Sequence, residues 1–305
     1  MDRFETLRAF VQVIESGSLT RAADTLGVAT SAVSRRLKEL EAHLGTQLMQ
    51  RTTRQLRLTA AGENFHIRAQ AILQALEEAE AEAGREARAL SGVLRIAAPV
   101  SFGTSQLGPI LIAFTEANPD LTLDVDFSDR MVDLVAEGHD LAVRIGNLED
   151  SSLIARRITD IRMVVAAAPA FWDKHGRPER PEELEQLPAL CYTGTDRQDR
   201  WSYTTPDGRP GTMQARVAMR ATNGTFLTDA AIAGRGIVMQ PSFIVHEAVE
   251  TGALEPVLCD YAWPRLTIQA VYPQTRHLSA RARAFIDFLR SSIGSRPSWE
   301  GFLDP

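Results

Sequence analysis

The residues best suited to chemistry in this sequence lie close together near its start, in the segment ATSAVSRRLKELEAHLG over residues 29–45. Serine hydroxyls and arginine guanidinium groups hydrogen-bond to phosphates and to the edges of bases. At 100° per residue, most polar residues of this segment fall on one side of a helix. They are Ser31, Ser34, Arg35 and Lys38, with Arg36 on the flank. The segment therefore indicates a helix whose polar face could enter the major groove of DNA.

The opposite face of this predicted helix is apolar, so it can hold the polar face outward. Its apolar residues are Val33, Leu37, Leu40 and Leu44. We expect a first helix over residues 3–15 and a second over residues 19–26. Ser18 is suited to cap the start of the second helix, and Gly27 to end it in the left-handed conformation.

Two short helices joined by a glycine turn, the second with one packed and one cationic face, form a helix-turn-helix. We expect the helix that reads DNA to begin near Thr30 or Ser31 and to end at Gly45. A merely solvated charged face is the alternative. The small pair Ala22–Ala23 and the turn at Gly27 favour DNA binding over that alternative.

A short wing is predicted after this helix, because Leu56 and Leu58 alternate with Arg57. Arginines before and within the wing are placed to contact the DNA backbone, which sets register without reading sequence. Unpartnered surface arginines are the alternative there. The complete set of predicted contacts to double-stranded DNA is Ser18, Thr30, Ser31, Ser34, Arg35, Arg36, Lys38, Arg51 and Arg54.

The distribution of charge agrees with a local DNA-binding surface. The chain of 305 residues has a net charge of −6, yet residues 1–60 hold nine cations and six anions. That segment is therefore +3 and the remainder −9, as expected for a polyanion-binding region on an acidic protein. Two cysteines, an acid at Asp2 and the lack of a long apolar stretch predict a cytoplasmic protein with no membrane segment.

A long helix is predicted from Gly62 to about Leu90, because this stretch has no proline and is rich in alanine and glutamate. Apolar residues recur in it at alternating steps of four and three, which is a heptad seam and favours pairing with a second copy of the chain. The alternative is an amphipathic helix that lies on its own core. The predicted dimerisation residues are Phe65, Ala69, Ile72, Leu76, Ala79 and Ala83.

Strand and helix patterns alternate through the rest of the chain, which predicts an α/β sheet. Two such runs fit two lobes better than one large sheet. RMVDLVAEG, over residues 130–138, is among the predicted helices. Open α/β sheets bind ligands at the carboxyl ends of their strands. The residues expected there are Val100, Ser101, Phe102, Ser128, Ile145, Gly146, Thr222, Asn223 and Gly224.

The sequence offers little support for catalysis, a metal or a cofactor. GTSQLG (103–108) is not a G-x-S-x-G elbow, and HEAVE (246–250) lacks the second histidine of a zinc helix. GRG (234–236) follows a predicted helix, whereas a dinucleotide fingerprint follows a strand. A solute-binding protein or an enzyme built on the two lobes is the alternative, but neither explains the cationic amino-terminal region.

Together these motifs resemble the LysR-type transcriptional regulators over nearly the whole chain. The resemblance is carried by SGSLTRAADTLGVATSAVSRRLKELEAHLGTQLMQRTTRQLRLTAAGENF near the start, and later by LRIAAPVSFG, DLVAEGHDLAVRIGNLEDSSLIARR, AGRGIVMQP and RARAFIDFL. It implies a winged helix-turn-helix, a linker helix that pairs in a homodimer or a dimer-of-dimers tetramer, and a two-lobed α/β domain like type 2 periplasmic binding proteins. A small-molecule coinducer between the lobes, no cofactor, and RNA polymerase as a further partner are also implied.

The resemblance also implies where the parts of the chain begin and end. The boundaries are 1–60 for the winged helix-turn-helix, 61–90 for the linker helix, 91–161 with 267–295 for the first lobe, 162–266 for the second lobe, and 296–305 for a C-terminal tail.

Overall fold

The computed structural model describes residues 2–51, 56–83, 90–146, 153–194, 199–274 and 278–303. The chain divides into two compact units, Met1–Arg88 with Ala136–Gly138, and Ala89–Val135 with His139–Pro305. We call the described residues 2–83 the head and the described residues 90–303 the body, and describe each by itself. Among the described helices, none combines the length and the apolarity needed to cross a bilayer.

Three helices form the first part of the head, as predicted. They are α1 (Arg3–Ser16), α2 (Leu19–Leu26) and α3 (Thr30–Leu44). The side chain of Asp2 caps α1, and that of Ser18 caps α2 by accepting from the amide of Arg21 at 3.4 Å. Each helix ends at a glycine with φ near 65°, the left-handed conformation that L side chains rarely adopt. Their apolar faces, including Phe10, Val33 and Leu37, share one core.

The wing and a long helix complete the head. They are β1 (Met49–Arg51), β2 (Leu56–Leu58) and α4 (Ala60–Ala83). The two strands pair antiparallel, Met49 opposite Leu58, as the alternating pattern predicts. A Cβ atom at Gly62 would lie 2.0 Å from the carbonyl oxygen of Leu48, so the start of α4 can pack this closely on the wing only because the residue is glycine.

The first part of α4 lies on the head's own core, which corrects the predicted seam. Ala69 is only 1% exposed within a single chain, and Leu73 is also buried there. The ring of Phe65 packs edge-on against Phe10, with centroids 5.4 Å apart. Ala69 is therefore covered within its own chain and is not presented to a second copy, whereas Phe65 is only partly buried. Ile72 remains 47% exposed.

The body alternates strands and helices as expected. Its first elements are β3 (Gly92–Ala98), α5 (Val100–Phe102), a π-helical turn (Gly103–Leu107), α6 (Gly108–Ala117), β4 (Leu121–Phe127), β5 (Leu141–Ile145) and β6 (Leu153–Ala167). Then come α7 (Pro169–His175), a 3₁₀ turn (Pro181–Gln186), β7 (Pro188–Tyr192), β8 (Arg200–Thr204), β9 (Pro210–Gln214), β10 (Arg216–Ala221), α8 (Gly224–Ile232), β11 (Ile237–Pro241), α9 (Ser242–Glu250) and β12 (Glu255–Val257). The last are β13 (Arg265–Pro273), α10 (Ala280–Ile293) and a 3₁₀ helix (Ser298–Leu303).

These elements form two lobes, each with its own apolar core. In the first lobe β3 pairs in parallel with β4 and β5, and β13 joins β5 antiparallel; α6 and α10 contribute to its core. In the second lobe β7 pairs in parallel with β10 and β11, and α7, α8 and α9 cover the sheet. The predicted α/β body is confirmed, and its two cores lie along one nine-stranded sheet, whose strands follow the order β10, β7, β11, β6, β13, β5, β3, β4, with β12 paired to β6.

One long strand belongs to both lobes. The first part of β6 pairs with β13 down to Arg162 opposite Arg265, and its next residues pair with β11, beginning with Met163 opposite Pro241. The expected boundary between residues 161 and 162 therefore lies inside a continuous strand. The lobes are joined by a ladder of backbone hydrogen bonds at this point.

Two parts of the body differ from the prediction. Residues 130–138 form an irregular segment with turns instead of the expected helix. Val132 and Leu134, which are two positions apart, both enter one small core, and a helix would not place them on the same side. The carboxylate of Asp133 also accepts from the amide of Val135 at 3.0 Å. The antiparallel hairpin of β8 and β9 was not expected, and it buries Trp201, Tyr203 and Met213 in the second lobe.

Candidate nucleic-acid interface and ligand cleft

Helix α3 presents the predicted polar surface to solvent. Thr30, Ser31, Arg35 and Lys38 are exposed, while Val33, Leu37 and Leu40 are buried beneath them. The side chain of Arg35 is 75% exposed, and the carboxylate of Glu39, with which it forms an ion pair, lies 3.9 Å away. Such a distance in an exposed pair contributes little, so Arg35 can leave Glu39 for a phosphate or a base.

Arg36 is held differently from Arg35. Its guanidinium donates to the carboxylate of Glu5 on α1, and its side chain is only 22% exposed. Ser34 is also partly buried. The flanking position expected for Arg36 is confirmed, and its ion pair with Glu5 fastens α1 to α3. Its proposed DNA contact would require that pair to open or to share its donors.

The remaining predicted DNA contacts are less fully described. Ser18 caps α2, so its hydroxyl already has a structural partner. Arg51 lies in β1, and nothing is described of its side chain; Arg54 lies outside the described residues.

Glu41, which sequence reasoning missed, ties the end of α3 to the wing. One carboxylate oxygen of Glu41 accepts from the amides of Leu48 and Met49, at 2.9 and 3.1 Å. Charge-assisted bonds to backbone amides are among the stronger hydrogen bonds in proteins. The angle between α3 and the wing is therefore fixed by a side chain that its type alone would assign to a solvated surface.

A second candidate site lies in the body, where side chains of the two lobes meet. The hydroxyl of Thr225 on α8 donates to the hydroxyl oxygen of Ser101 on α5, at 3.0 Å. Ser101 is buried, and its position at the carboxyl end of β3 agrees with the prediction. Thr225 was missed because the prediction took the residues that directly follow a strand and assigned Thr225 to the helix after them.

Backbone amides of other predicted ligand residues already have hydrogen-bond partners within the body. The amide of Val100 donates to Asp129 at 3.0 Å, and the amide of Ser128 donates to the carbonyl of Ala98 at 2.9 Å. Gly146, after β5, donates to the carbonyl of Thr267 at 3.0 Å. Ile145 is partly buried and Thr222 is exposed.

The second lobe adds the amino terminus of α8. The side chain of Asn223 caps it by accepting from the amide of Phe226 at 2.9 Å. Gly224 is packed so closely that a Cβ atom would lie 2.9 Å from the amide oxygen of Gln240. Gln240 is almost fully buried, and its Nε2 has no hydrogen-bond partner among the described residues. This buried donor beside a helix start is a polar feature that the sequence did not indicate.

Phe102 does not line the cleft, which corrects its predicted role. Its side chain is completely buried and packs edge-on against Phe243 and Trp299, with centroids 5.3 and 6.1 Å apart. On the short helix α5, the residue after Ser101 points to the opposite side, into the first-lobe core. Phe102 therefore supports Ser101 from behind.

Tyr192, at the end of β7, is a further polar group that was missed. Burial raises the pKa of its phenol, and the negative charge of Asp129 raises it further. The hydroxyl of Tyr192 is therefore protonated at neutral pH and available as a donor. Strand ends of both lobes thus contribute polar groups.

Family models and known proteins match both parts of the chain. A model described as LysR substrate binding domain matches residues 87–294. A model described as bacterial regulatory helix-turn-helix protein, lysR family, matches residues 4–63. CrgA of Neisseria meningitidis serogroup B, an HTH-type transcriptional regulator, is 36% identical over 292 residues, which cover 95% of this chain and 97% of CrgA.

Solved structures match along the same length. That of CrgA superposes with a TM-score of 0.62 over 95% of this chain and 99% of CrgA. The full-length Vibrio cholerae virulence activator AphB, 30% identical, has a TM-score of 0.59 over 95% of this chain and 99% of AphB. A transcriptional repressor of Pseudomonas aeruginosa is 33% identical over 299 residues, 97% of this chain and 94% of the repressor.

Proposed function

Because the chain belongs to the LysR family of transcriptional regulators, we propose that its head binds an inverted-repeat operator and that its body changes this binding when a small molecule enters the cleft. The exposed cationic face of α3, held outward by buried leucines, is the observation that carries the first half. A two-fold dimer would present this face twice, which requires two half-sites of opposite orientation.

The contacts within the head support a division of labour on DNA. We assign base contacts to Ser31 and Arg35, since they are exposed on one face of α3. Lys38 lies on the same exposed face and enters the groove beside them, and the salt dependence of its alanine variant decides between a phosphate and a base as its partner. Thr30 and Ser34 would support them at the rim. Arg36, Arg51, Arg54 and the region of Ser18 are assigned to the phosphate backbone.

Sequencing the genomic DNA fragments retained by the purified full-length protein tests this proposal. We expect the retained fragments to share an inverted repeat, and the Arg35→Ala variant to retain far fewer of them. Recovery of random fragments, equal for both proteins, would overturn the assignment of operator binding. The neighbouring genes would then indicate the class of the effector.

The cleft supports a ligand with hydrogen-bond acceptors, and a carboxylate fits best. The hydroxyls of Ser101 and Thr225, the start of α8 and the amide nitrogen of Gln240 are donors placed within the same region. A ligand can shift the protein only if it binds the closed and open lobes with different affinity. Thermal-shift measurements with small carboxylic acids and their amides, followed by calorimetry on Ser101→Ala, test this proposal. Equal affinity in the variant would remove Ser101 from the site.

Self-association is proposed through the exposed part of α4. Ile72 is exposed and Leu76 is partly exposed, whereas nothing is described of the side chains of Ala79 and Ala83. Replacing Ile72 and Leu76 with lysine should reduce the sedimenting mass. An unchanged wild-type species would discard this part of the seam, and the measurement also decides between dimer and tetramer.

The remaining assignments follow from the regulator hypothesis. We propose that the protein acts in the cytoplasm, where operator DNA is found, and that RNA polymerase is its further partner. The sign of regulation is not assigned, because AphB is named an activator and the Pseudomonas relative a repressor. Catalysis is not proposed; turnover of any compound in the carboxylate panel would revive the enzyme alternative.

A further inference from the structure

The C-terminal 3₁₀ helix, Ser298–Leu303, contributes to the cores of both lobes. Trp299 is buried in the first-lobe core, while Phe302 and Leu303 pack against the second-lobe core. A segment expected to be a tail therefore spans the body. We call Ser298–Leu303 the strap.

The strap is held by a buried carboxylate. Glu300 is only 6% exposed, and its Oε1 accepts from the amide of Arg162 at 3.1 Å and from the hydroxyl of Ser242. The guanidinium of Arg162 donates to the other carboxylate oxygen, and its Nη2 donates to the carbonyl of Glu300 at 3.1 Å. A carboxylate this deeply buried is stable only while such donors surround it.

These donors lie at the junction of the two lobes. Arg162 is the last residue of β6 opposite β13, and Met163 is the first opposite β11. Ser242 begins α9, directly after β11. Glu300 therefore binds β6 at the point where this strand passes from one lobe to the other. It also binds Ser242, the first residue of α9.

The strap also contacts the support of the ligand cleft. The ring of Trp299 lies 6.1 Å from that of Phe102 and 6.5 Å from that of Phe243, centroid to centroid. Phe102 directly follows Ser101, whose hydroxyl accepts a direct hydrogen bond from Thr225 of the other lobe. A change in the angle between the lobes would thus alter the packing of Trp299 and the surroundings of Glu300 together.

We infer that Trp299 and Glu300 are positioning residues that set the preferred angle between the lobes, and through it the ligand response. This inference rests on the proposed function for its biological meaning, but its physical content concerns only the body. Arg162 pairs with β13 of the first lobe, Ser242 begins a helix next to the second-lobe strand β11, and both bind the carboxylate of Glu300. The strap therefore stabilises one lobe arrangement over others, and a ligand has to act against or along this preference.

Hydrogen–deuterium exchange on the full-length protein tests the inference without DNA or ligand. Glu300→Gln keeps the shape of the side chain but removes its charge, and we expect amides of residues 160–166 and 242–246 to exchange about tenfold faster. The matched control is Glu116→Gln, which removes an exposed carboxylate from α6. In the control these amides should exchange as in the wild type.

The strand β3, in the middle of the first-lobe sheet, reports on general destabilisation. Unchanged exchange at the junction, or equal acceleration at the junction and in β3, would overturn the positioning role. If Glu300→Gln does not fold, Ser242→Ala removes one donor and keeps the ion pair; acceleration confined to residues 242–246 is then expected, and its absence counts against the inference. Failure to select operator DNA would overturn the proposed function and leave this result standing.

Discussion

The two candidate sites, the polar face of α3 and the region around Ser101, are built in opposite ways. On α3 the predicted reading residues lie within a few positions of one another and are exposed, with a buried stripe beneath them. In the cleft, Ser101 and Thr225 are 124 residues apart in sequence and are brought together by two lobes. A DNA duplex is large and comes to an exposed surface, whereas a small ligand must be surrounded and separated from water. Local pattern can therefore define the first site but not the second.

The largest expected effect is on the support of the DNA-reading face. Leu37→Ala should destabilise the head by about 2–5 kcal/mol, because the side chain is buried on the inner face of α3. Denaturant unfolding, with operator binding as a second measurement, checks this expectation. Leu44→Ala on the same helix is the control, since Leu44 is 38% exposed and should cost far less. Equal losses of stability would mean that the buried leucines do not hold the polar face of α3 outward.

The next effect concerns the exposed polar face of α3 itself. Arg35→Ala should weaken binding to the selected DNA fragments by about 1–3 kcal/mol if the guanidinium reads a base. Fluorescence anisotropy gives the affinity, and Arg283→Ala, an exposed arginine of α10, is the matched control. An affinity equal to that of the wild type would remove Arg35 from the interface.

A smaller effect is expected at the cleft. Ser101→Ala removes the acceptor of the bond between the lobes, and should lower the free energy of unfolding of the body by about 0.5–1.5 kcal/mol. Urea unfolding measures this loss. Ser291→Ala, which removes an exposed hydroxyl that donates to the carbonyl of Phe288 within α10, should change stability less. A loss as large as that of Leu37→Ala would mean that Ser101 is mainly a core residue.

The smallest effect separates phosphate contacts from base contacts on the same face of α3. If Lys38 contacts a phosphate, Lys38→Ala should weaken all DNA fragments uniformly and reduce the slope of log affinity against log salt by about 1. Anisotropy titrations at several salt concentrations measure that slope. An unchanged slope, with lost preference for the selected fragments, would instead assign Lys38 to a base.

The head could be predicted closely because its signals are local. Ser18 and the glycines at 17, 27 and 45 mark helix ends through conformations that depend on neighbouring residues alone. Ala69 was misjudged for the opposite reason: the heptad spacing of α4 does not say which surface covers each residue, and Ala69 lies in the core of its own head.

In the body, the order of strands and helices was predictable, but the surroundings of single residues were not. Phe102 follows a strand end as a cleft residue should, yet the aromatic rings of distant elements draw it inward. Thr225 and Gln240 come near the predicted ligand residues only through tertiary packing, and no spacing in the sequence distinguishes them. Asp133 terminates a helical pattern through one local hydrogen bond, which periodicity does not register.

The uninterrupted course of β6 through both lobes restricts how the body can deform. Sliding β6 along a neighbouring strand by one residue would turn every side chain to the opposite face, which the buried residues on both sides forbid. Rotation must instead be taken up as a gradual change of twist along the strand. The body should therefore twist gradually, so that small ligands of different size produce graded angles between the lobes instead of a switch between two fixed positions.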